Sequence, residues 1–235
     1  MSEKTNFYTL YPLGDSAIVI QFPDQISEDI HQQVRAVSAF LDENSFEGFV
    51  EYTPAFSSVT IYYQPWILLY TEIQALLEEM LRELIEDGTR LPETRIEIPV
   101  VYGGDYGPDL EFVAAYNQLS TKEVVAIHTS EEYLVYMIGF APGFPYLGGM
   151  NEKIATPRKA QPRTKIAAGA VGIAGRQTGV YPIETPGGWQ IIGQSPLSLF
   201  DFNREVPALL KAGDRVRFVA ISEAEFLNIT RKNGN

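Results

Sequence analysis

The stretch "GFAPGFPYLGGM", residues 139–150, constrains the fold more than any other part of the chain. Each X-Pro step drives the preceding residue toward extended backbone, and the glycines admit left-handed turns and close approaches. The spacing therefore excludes a helix and predicts a rigid loop in place of a regular strand. Three large aromatics, Phe140, Phe144 and Tyr146, ride on it. They either plug a core or wall a site. The same texture continues to about Phe218, where the turn signals "TPGGW" and "KAGDRV" separate short apolar runs, as in a small antiparallel barrel.

Upstream of Leu91-Pro92 the pattern changes. From Ser27 the apolar positions Ile30, Val34, Val37 and Leu41 keep helical spacing, with Ser27 as N-cap and Glu28 and Asp29 at the positive end of the helix dipole. A second helix is expected from Thr71, which would form a capping box with Gln74. Ile73, Leu76, Leu77, Met80, Leu81, Leu84 and Ile85 make its buried stripe, and Gly88 stops it. Strand-like runs "SAIVIQF", "GFVEYTP" and "SSVTIYY" surround these helices, with "RIEIPVVY" closing this unit or opening the next. The order strand, helix, two strands, helix, strand fits a split βαβ sandwich of ferredoxin-like type. Beyond the break, two short helical pieces, near residues 109–117 and from Ser120 with its capping-box Glu123, lead into the β-rich region. The chain reads as an α+β protein, with a ferredoxin-like domain over residues 1–90 and a β-barrel domain over residues 91–235.

Composition narrows the chemistry. A formal net charge of −12 argues against a phosphate-neutralising surface for nucleic acid. Zero cysteines exclude disulfides and thiolate chemistry and fit a reducing compartment. With neither a signal-peptide pattern nor a membrane-length apolar run, the expected location is the cytoplasm. The basic residues are uneven: residues 156–176 carry Arg158, Lys159, Arg163, Lys165 and Arg176 and no acid. That segment is either a solvated basic face or a local anion site. "GAVGIAGRQTG" matches neither the P-loop nor the dinucleotide fingerprint, His31 and His128 stand in no metal-binding spacing, and Ser195 in "GQSPL" lacks a nucleophile elbow's flanking glycine. No metal site is legible.

Three segments, "HTSEEYLVYMIGFAPGFPYLGGM", "TPRKAQPRTKIAAGAVGIAGRQTGVYPIETPGGWQIIGQSPLSLFD" and "LLKAGDRVRF", resemble the allophanate hydrolase subunit 1 family. The resemblance implies a ferredoxin-like N-terminal domain and sharpens the barrel to a cyclophilin-like one. It also implies a role as the B-type subunit of an ATP-dependent 5-oxoprolinase, which opens the lactam of 5-oxoproline to give glutamate. The partners would be a second subunit of PxpC or KipA type and a third of PxpA type. ATP would be used by the complex and not bound by this chain alone. The family's other known role, restraint of a sensor histidine kinase by a KipI-like inhibitor, is the alternative. Where the family pattern reads Pro-Ala-Gly-Ser-Val this chain has "AAGAV", and Gln194 stands in "GQSP" where an arginine is usual.

The candidate site residues follow. His128, the imidazole of the second domain, is an acid or base near neutral pH, or else a helix-end histidine bonded within the fold. Arg158, Arg163 and Arg176 offer planar forks to a carboxylate such as that of 5-oxoproline, or else serve a subunit interface. Phe144, Tyr146, Tyr181 and Trp189 would give an apolar wall with polar tips, or else simply core. Gln177 and Glu184 are candidates of the same kind.

Overall fold

The computed structural model of the chain describes residues 7–25, 27–87 and 91–233. It divides into two compact units, residues 1–92 and 93–235.

In the first unit, strands β1 (Thr9–Pro12), β2 (Ala17–Gln21), β3 (Phe49–Pro54) and β4 (Ser58–Tyr63) form an antiparallel sheet in the order β1-β2-β4-β3. Helices α1 (Glu28–Glu43) and α2 (Tyr70–Asp87) lie on one face. Ser27 caps α1 by accepting from the Ile30 N–H, and its stripe Ile30, Val34, Val37 and Leu41 is buried against Ile18 and Ile20 of β2 and Val59, Ile61 and Tyr63 of β4. Burying such a stripe, not intrinsic propensity, supplies most of a helix's stability.

The expected start of α2 needs correction. The helix begins at Tyr70, and the Glu72 carboxylate accepts from the Leu69 N–H at 2.7 Å, so Thr71 is already inside the first turn. Gln74 instead donates to Glu78. Of the stripe, Ile73, Leu77, Met80 and Leu81 are buried and Leu76 and Leu84 pack beside them; the Ile85 side chain and Gly88 lie outside the described residues. The sheet also differs from expectation. Its strand beside β2 is β1, from upstream of the first helix, because "RIEIPVVY" pairs elsewhere.

That run is β5 (Arg95–Tyr102), which opens the second unit. It is followed by α3 (Leu110–Tyr116), α4 (Thr121–Ser130), β6 (Tyr133–Ile138), β7 (Pro145–Gly148), β8 (Arg163–Ile166), β9 (Ala170–Ala174), β10 (Gln177–Val180), β11 (Thr185–Gly187), β12 (Gln190–Gln194), β13 (Arg215–Ala220) and α5 (Glu223–Asn233). Seven of these strands close a barrel in the order β10-β7-β6-β13-β5-β12-β9, with β9 and β10 joined as a hairpin. All its pairings are antiparallel except β13 with β5, which run parallel from Arg215↔Arg95 to Ala220↔Val100. β8 and β11 form a separate two-stranded ribbon. The barrel is filled by Ile98, Val100, Val135, Leu147, Val171, Ile173, Val180, Ile192, Val216 and Phe218.

The expectation that residues 139–150 form no strand is overturned in part. Pro145 to Gly148 is β7, paired with β6 through Ile138↔Pro145 and Leu134↔Gly148 and with β10 through Thr178↔Leu147. Proline is tolerated there because it takes the first position of the strand, where the missing N–H costs no ladder bond. Only residues 139–144 turn back, closed by the Gly139 N–H donating to the Phe144 carbonyl at 3.0 Å.

Candidate functional site

The loop between β6 and β7 delivers Phe144 into a cluster of rings set edge-on. Its centroid lies 5.6 Å from those of Phe140, Tyr181 and Trp189 and 5.4 Å from that of Tyr146. Edge-to-face contacts of this kind add about 0.5–1.5 kcal/mol per pair beyond area burial. Two glycines make room for them. A Cβ on Gly179 of β10 would stand 3.1 Å from Trp189 and 3.2 Å from Phe144, and one on Gly187 of β11 would collide with the Tyr181 hydroxyl.

Between this cluster and the β8–β11 ribbon opens a pocket of about 450 Å³, lined by Phe140, Phe144, Tyr146, Arg158, Pro162, Tyr181, Pro186, Gly187, Gly188 and Trp189. That volume suits a small organic molecule. Phe144, Tyr181 and Trp189 are buried and form the floor, whereas Phe140 stands at the rim, 69% exposed. Phe140 also holds φ at +65°, a left-handed conformation that costs a non-glycine residue roughly 1–2 kcal/mol. Burial pushes the Tyr181 phenol up to about 12, against the lowering effects of the Trp189 backbone, Arg158 and Arg163, so it stays neutral at physiological pH.

The wall carrying Arg158 is organised by a residue that sequence reasoning assigns only to a helix start. Asp109, 5% exposed, occupies the N-cap position of α3 but makes no cap bond with its side chain. Its carboxylate instead accepts a bond from Arg163 Nη2 at 2.8 Å, one from Lys159 at 3.1 Å and one from the Ile191 N–H at 2.7 Å, and Arg163 Nη1 stands 2.8 Å from its other oxygen as an ion pair. Burial alone would raise this carboxyl; the bonds from Arg163, Ile191 and Lys159 outweigh it and hold the group below the usual range. One carboxylate thus ties α3, β8, β12 and the segment before β8 together. An Asp at a helix start, three residues short of an aromatic, is the signal that the sequence carries; its partners are remote along the chain.

Five of the sequence-derived candidates, Phe144, Tyr146, Arg158, Tyr181 and Trp189, meet in the pocket. The others do not. Arg163 stands behind the wall, committed to Asp109. Arg176 pairs with Glu152 at 2.5 Å on the exposed surface, and Glu184 pairs with Lys165 at 2.8 Å. Gln177 begins β10 opposite Ala174, outside the pocket lining. His128 is fully buried on α4 against the barrel, with Nδ1 2.8 Å from the Tyr102 hydroxyl and Nε2 2.9 Å from Thr178 Oγ1. Thr178 donates to the Gly172 carbonyl, so it accepts from His128 Nε2–H, and Nδ1 accepts from Tyr102. Burial lowers the imidazole to about 3, which keeps it neutral. A fully buried ring with both nitrogens engaged has the geometry of a bonded structural histidine.

"GAVGIAGRQTG" is the β9–β10 hairpin, with its glycines in strands and turn, not a loop opening a helix. Among the described residues no group of three or more His, Asp or Glu side chains is arranged to hold a metal ion, and no helix is long and apolar enough to cross a membrane.

Residues 8–210 match the family described as carboxyltransferase domain, subdomain C and D, and the chain belongs to that family. Within it, the chain is 50% identical to the B-type subunit of 5-oxoprolinase from Bacillus subtilis (strain 168) over 229 residues, 93% of this chain and 95% of that protein. It is 45% identical to the B-type subunit of 5-oxoprolinase from Escherichia coli O157:H7 over 216 residues, 91% and 96% of the two. Among solved structures, a conserved uncharacterized protein from Pyrococcus horikoshii is 48% identical, with a TM-score of 0.56 over 93% of this chain and 100% of that one. The two 5-oxoprolinase relatives bear out the family resemblance carried by the three sequence segments.

Proposed function

We propose that this chain is the B-type subunit of a cytoplasmic, ATP-dependent 5-oxoprolinase and that the aromatic pocket contributes to the site where the cyclic amide is held. The observation that carries the reading is near full-length likeness, at 50% and 45% identity, to two proteins named for that role. The pocket's size and its flat aromatic walls are compatible with a five-membered ring. In this reading the first unit is the ferredoxin-like domain and the second the cyclophilin-like barrel. The relatives' names favour the enzyme-subunit role over restraint of a sensor kinase.

The chemistry divides between chains. Opening a lactam requires loss of amide resonance, and coupling to ATP makes that step favourable. The glycine-rich segment of this chain is used up as a barrel hairpin and does not fit a phosphate cradle, so nucleotide handling falls to the partners, of PxpC or KipA type and PxpA type. What this chain supplies is binding and orientation: edge-on rings fix the ligand plane, and the Tyr181 hydroxyl, kept neutral by burial, adds a polar group without adding charge.

The test is reconstitution with the second and third subunits and measurement of ATP-dependent 5-oxoproline consumption. The wild-type complex is expected to be active. Tyr146→Ala is expected to lower specific activity or assembly at least about tenfold, equivalent to roughly 1.4 kcal/mol, with a small loss in melting temperature. A wild-type complex without activity overturns the assignment. A variant that unfolds while what remains folded keeps full specific activity overturns the role of the pocket.

A further inference from the structure

We propose, building on the pocket reading above, that Arg158 is its specificity-determining residue: its guanidinium binds the carboxylate of a small cyclic acid whose ring lies among Phe144, Tyr146, Tyr181 and Trp189. The other cations of the basic segment are already paired. Arg163 and Lys159 are spent on Asp109, Lys165 on Glu184 and Arg176 on Glu152. Arg158 forms no ion pair and no side-chain hydrogen bond among the described residues, yet it lines the pocket and is the sole charged residue in that lining.

Its backbone is held on both sides. Thr156 exchanges two backbone bonds with Gly175, at 3.1 and 2.7 Å, and its hydroxyl accepts from Asn117. The Pro157 carbonyl accepts from Gln190 Nε2 at 2.9 Å. The Lys159 N–H donates to the Gly188 carbonyl at 2.7 Å, and its ammonium is tied to Asp109. The fold therefore fixes the position from which Arg158 projects while leaving its five donors without a protein acceptor among the described residues. Arg158 is exposed, so with its backbone already placed, binding has only the side chain left to order.

Charge sharpens the case. A chain with a net charge of −12 repels anions at long range, so an anion site on it must be made locally. The guanidinium fork matches a carboxylate bidentately, which an ammonium cannot do. Arg158 also borders an outer groove beside Phe112 and Gln161. A ligand occupying that groove alone would not contact Tyr146 or Trp189, which separates the two placements by experiment.

The test pairs two probes that share a ring, 5-oxoproline with its carboxylate and 2-pyrrolidinone without one. In NMR titrations of the purified full chain, 5-oxoproline is expected to shift the Tyr146 and Trp189 ring signals and 2-pyrrolidinone to bind at least tenfold more weakly. Arg158→Gln is expected to lose about 10- to 100-fold in 5-oxoproline affinity while leaving 2-pyrrolidinone unchanged. Arg158→Lys should recover only part of the loss, and Arg176→Gln should match wild type. In the reconstituted complex, Arg158→Gln should raise KM for 5-oxoproline by a similar factor with a smaller change in kcat. Equal binding of the two probes, no binding of either, shifts confined to the Phe112 groove, or an Arg158→Gln variant equal to wild type each overturns the proposal. An inactive wild-type complex alongside Arg158-dependent carboxylate binding would overturn the 5-oxoprolinase assignment and leave this proposal standing. An active complex indifferent to Arg158→Gln would do the reverse.

Discussion

The second unit contains two clusters of aromatic rings, and they have opposite fates. Around His128, the rings of Phe218, Tyr133 and Tyr102 pack with centroids 4.4, 5.5 and 5.8 Å from the imidazole, and every polar side-chain atom finds a partner inside the protein: Tyr102 with His128, His128 with Thr178, Tyr133 with the His128 carbonyl. Around Phe144 the spacing is much the same, but the cluster opens at Phe140 and carries Arg158 without a protein acceptor among the described residues. Ring chemistry does not distinguish core from site. Polar closure does: a cluster whose donors and acceptors are all internally spent is architecture, and in the pocket reading proposed above the one with Arg158 left over faces a ligand.

The largest expected effect breaks the closed cluster. Phe218→Ala empties the barrel centre and should cost about 3–5 kcal/mol, read as a lower urea midpoint, while the specific activity of folded complex stays near wild type. Equal loss of specific activity would mean that the two clusters are coupled.

Next comes Asp109→Ala, which strands Arg163, Lys159 and the Ile191 N–H together. Removing one partner of a buried pair costs about 3–5 kcal/mol; because the Arg163 and Lys159 side chains are 27% and 30% exposed, about 2–3 kcal/mol is expected here. Unlike Phe218→Ala, this variant should also weaken 5-oxoproline binding, since it loosens the segment bearing Arg158. Destabilisation with unchanged affinity would show that the wall does not depend on Asp109.

The smallest effect concerns pH and belongs to the closed cluster alone. The folded state lowers His128 to about 3 from 6.5, so the unfolded chain binds the extra proton in between. Stability should therefore fall as pH drops below about 6.5 toward 3, by at most about 1.4 kcal/mol per pH unit from this one group. Comparing wild type with His128→Gln from pH 7 to 5 isolates the contribution from that of the carboxylates. A variant with the same slope as wild type would mean that His128 is already protonated in the fold.

What can be read from the chain tracks the distance over which each interaction acts. The stripe of α1 is legible because Ile30, Val34, Val37 and Leu41 repeat at helical spacing and Ser27 caps locally. The cap of α2 shifts by two residues from its expected place, from Thr71 to Leu69, because a carboxylate reaching back from Glu72 replaces the expected hydroxyl cap. β7 escapes a local reading because the fitness of Pro145 depends on its place in a ladder, which composition does not show. Aromatic and arginine candidates can be named by type, yet their sorting into Arg158 facing the pocket and Arg163 behind it rests on Asp109, 54 residues from Arg163 and 82 from Ile191. Those separations are closed by the barrel, not by any local rule.

The parallel pairing of β13 with β5 sets a timetable for synthesis. Glu93, at the entrance to β5, meets Arg215, 122 residues later, so the barrel cannot close until β13 has been made. At about 5–20 residues per second that interval is on the order of ten seconds. During it the flanks of β5 and β6 that later receive β13 wait without a strand, whereas the sheet of the first unit has all four of its strands by Tyr63. An emerging barrel with two open edges is exposed to mispairing for most of its own synthesis, and the nascent chain is most vulnerable to aggregation or in need of a chaperone in that window.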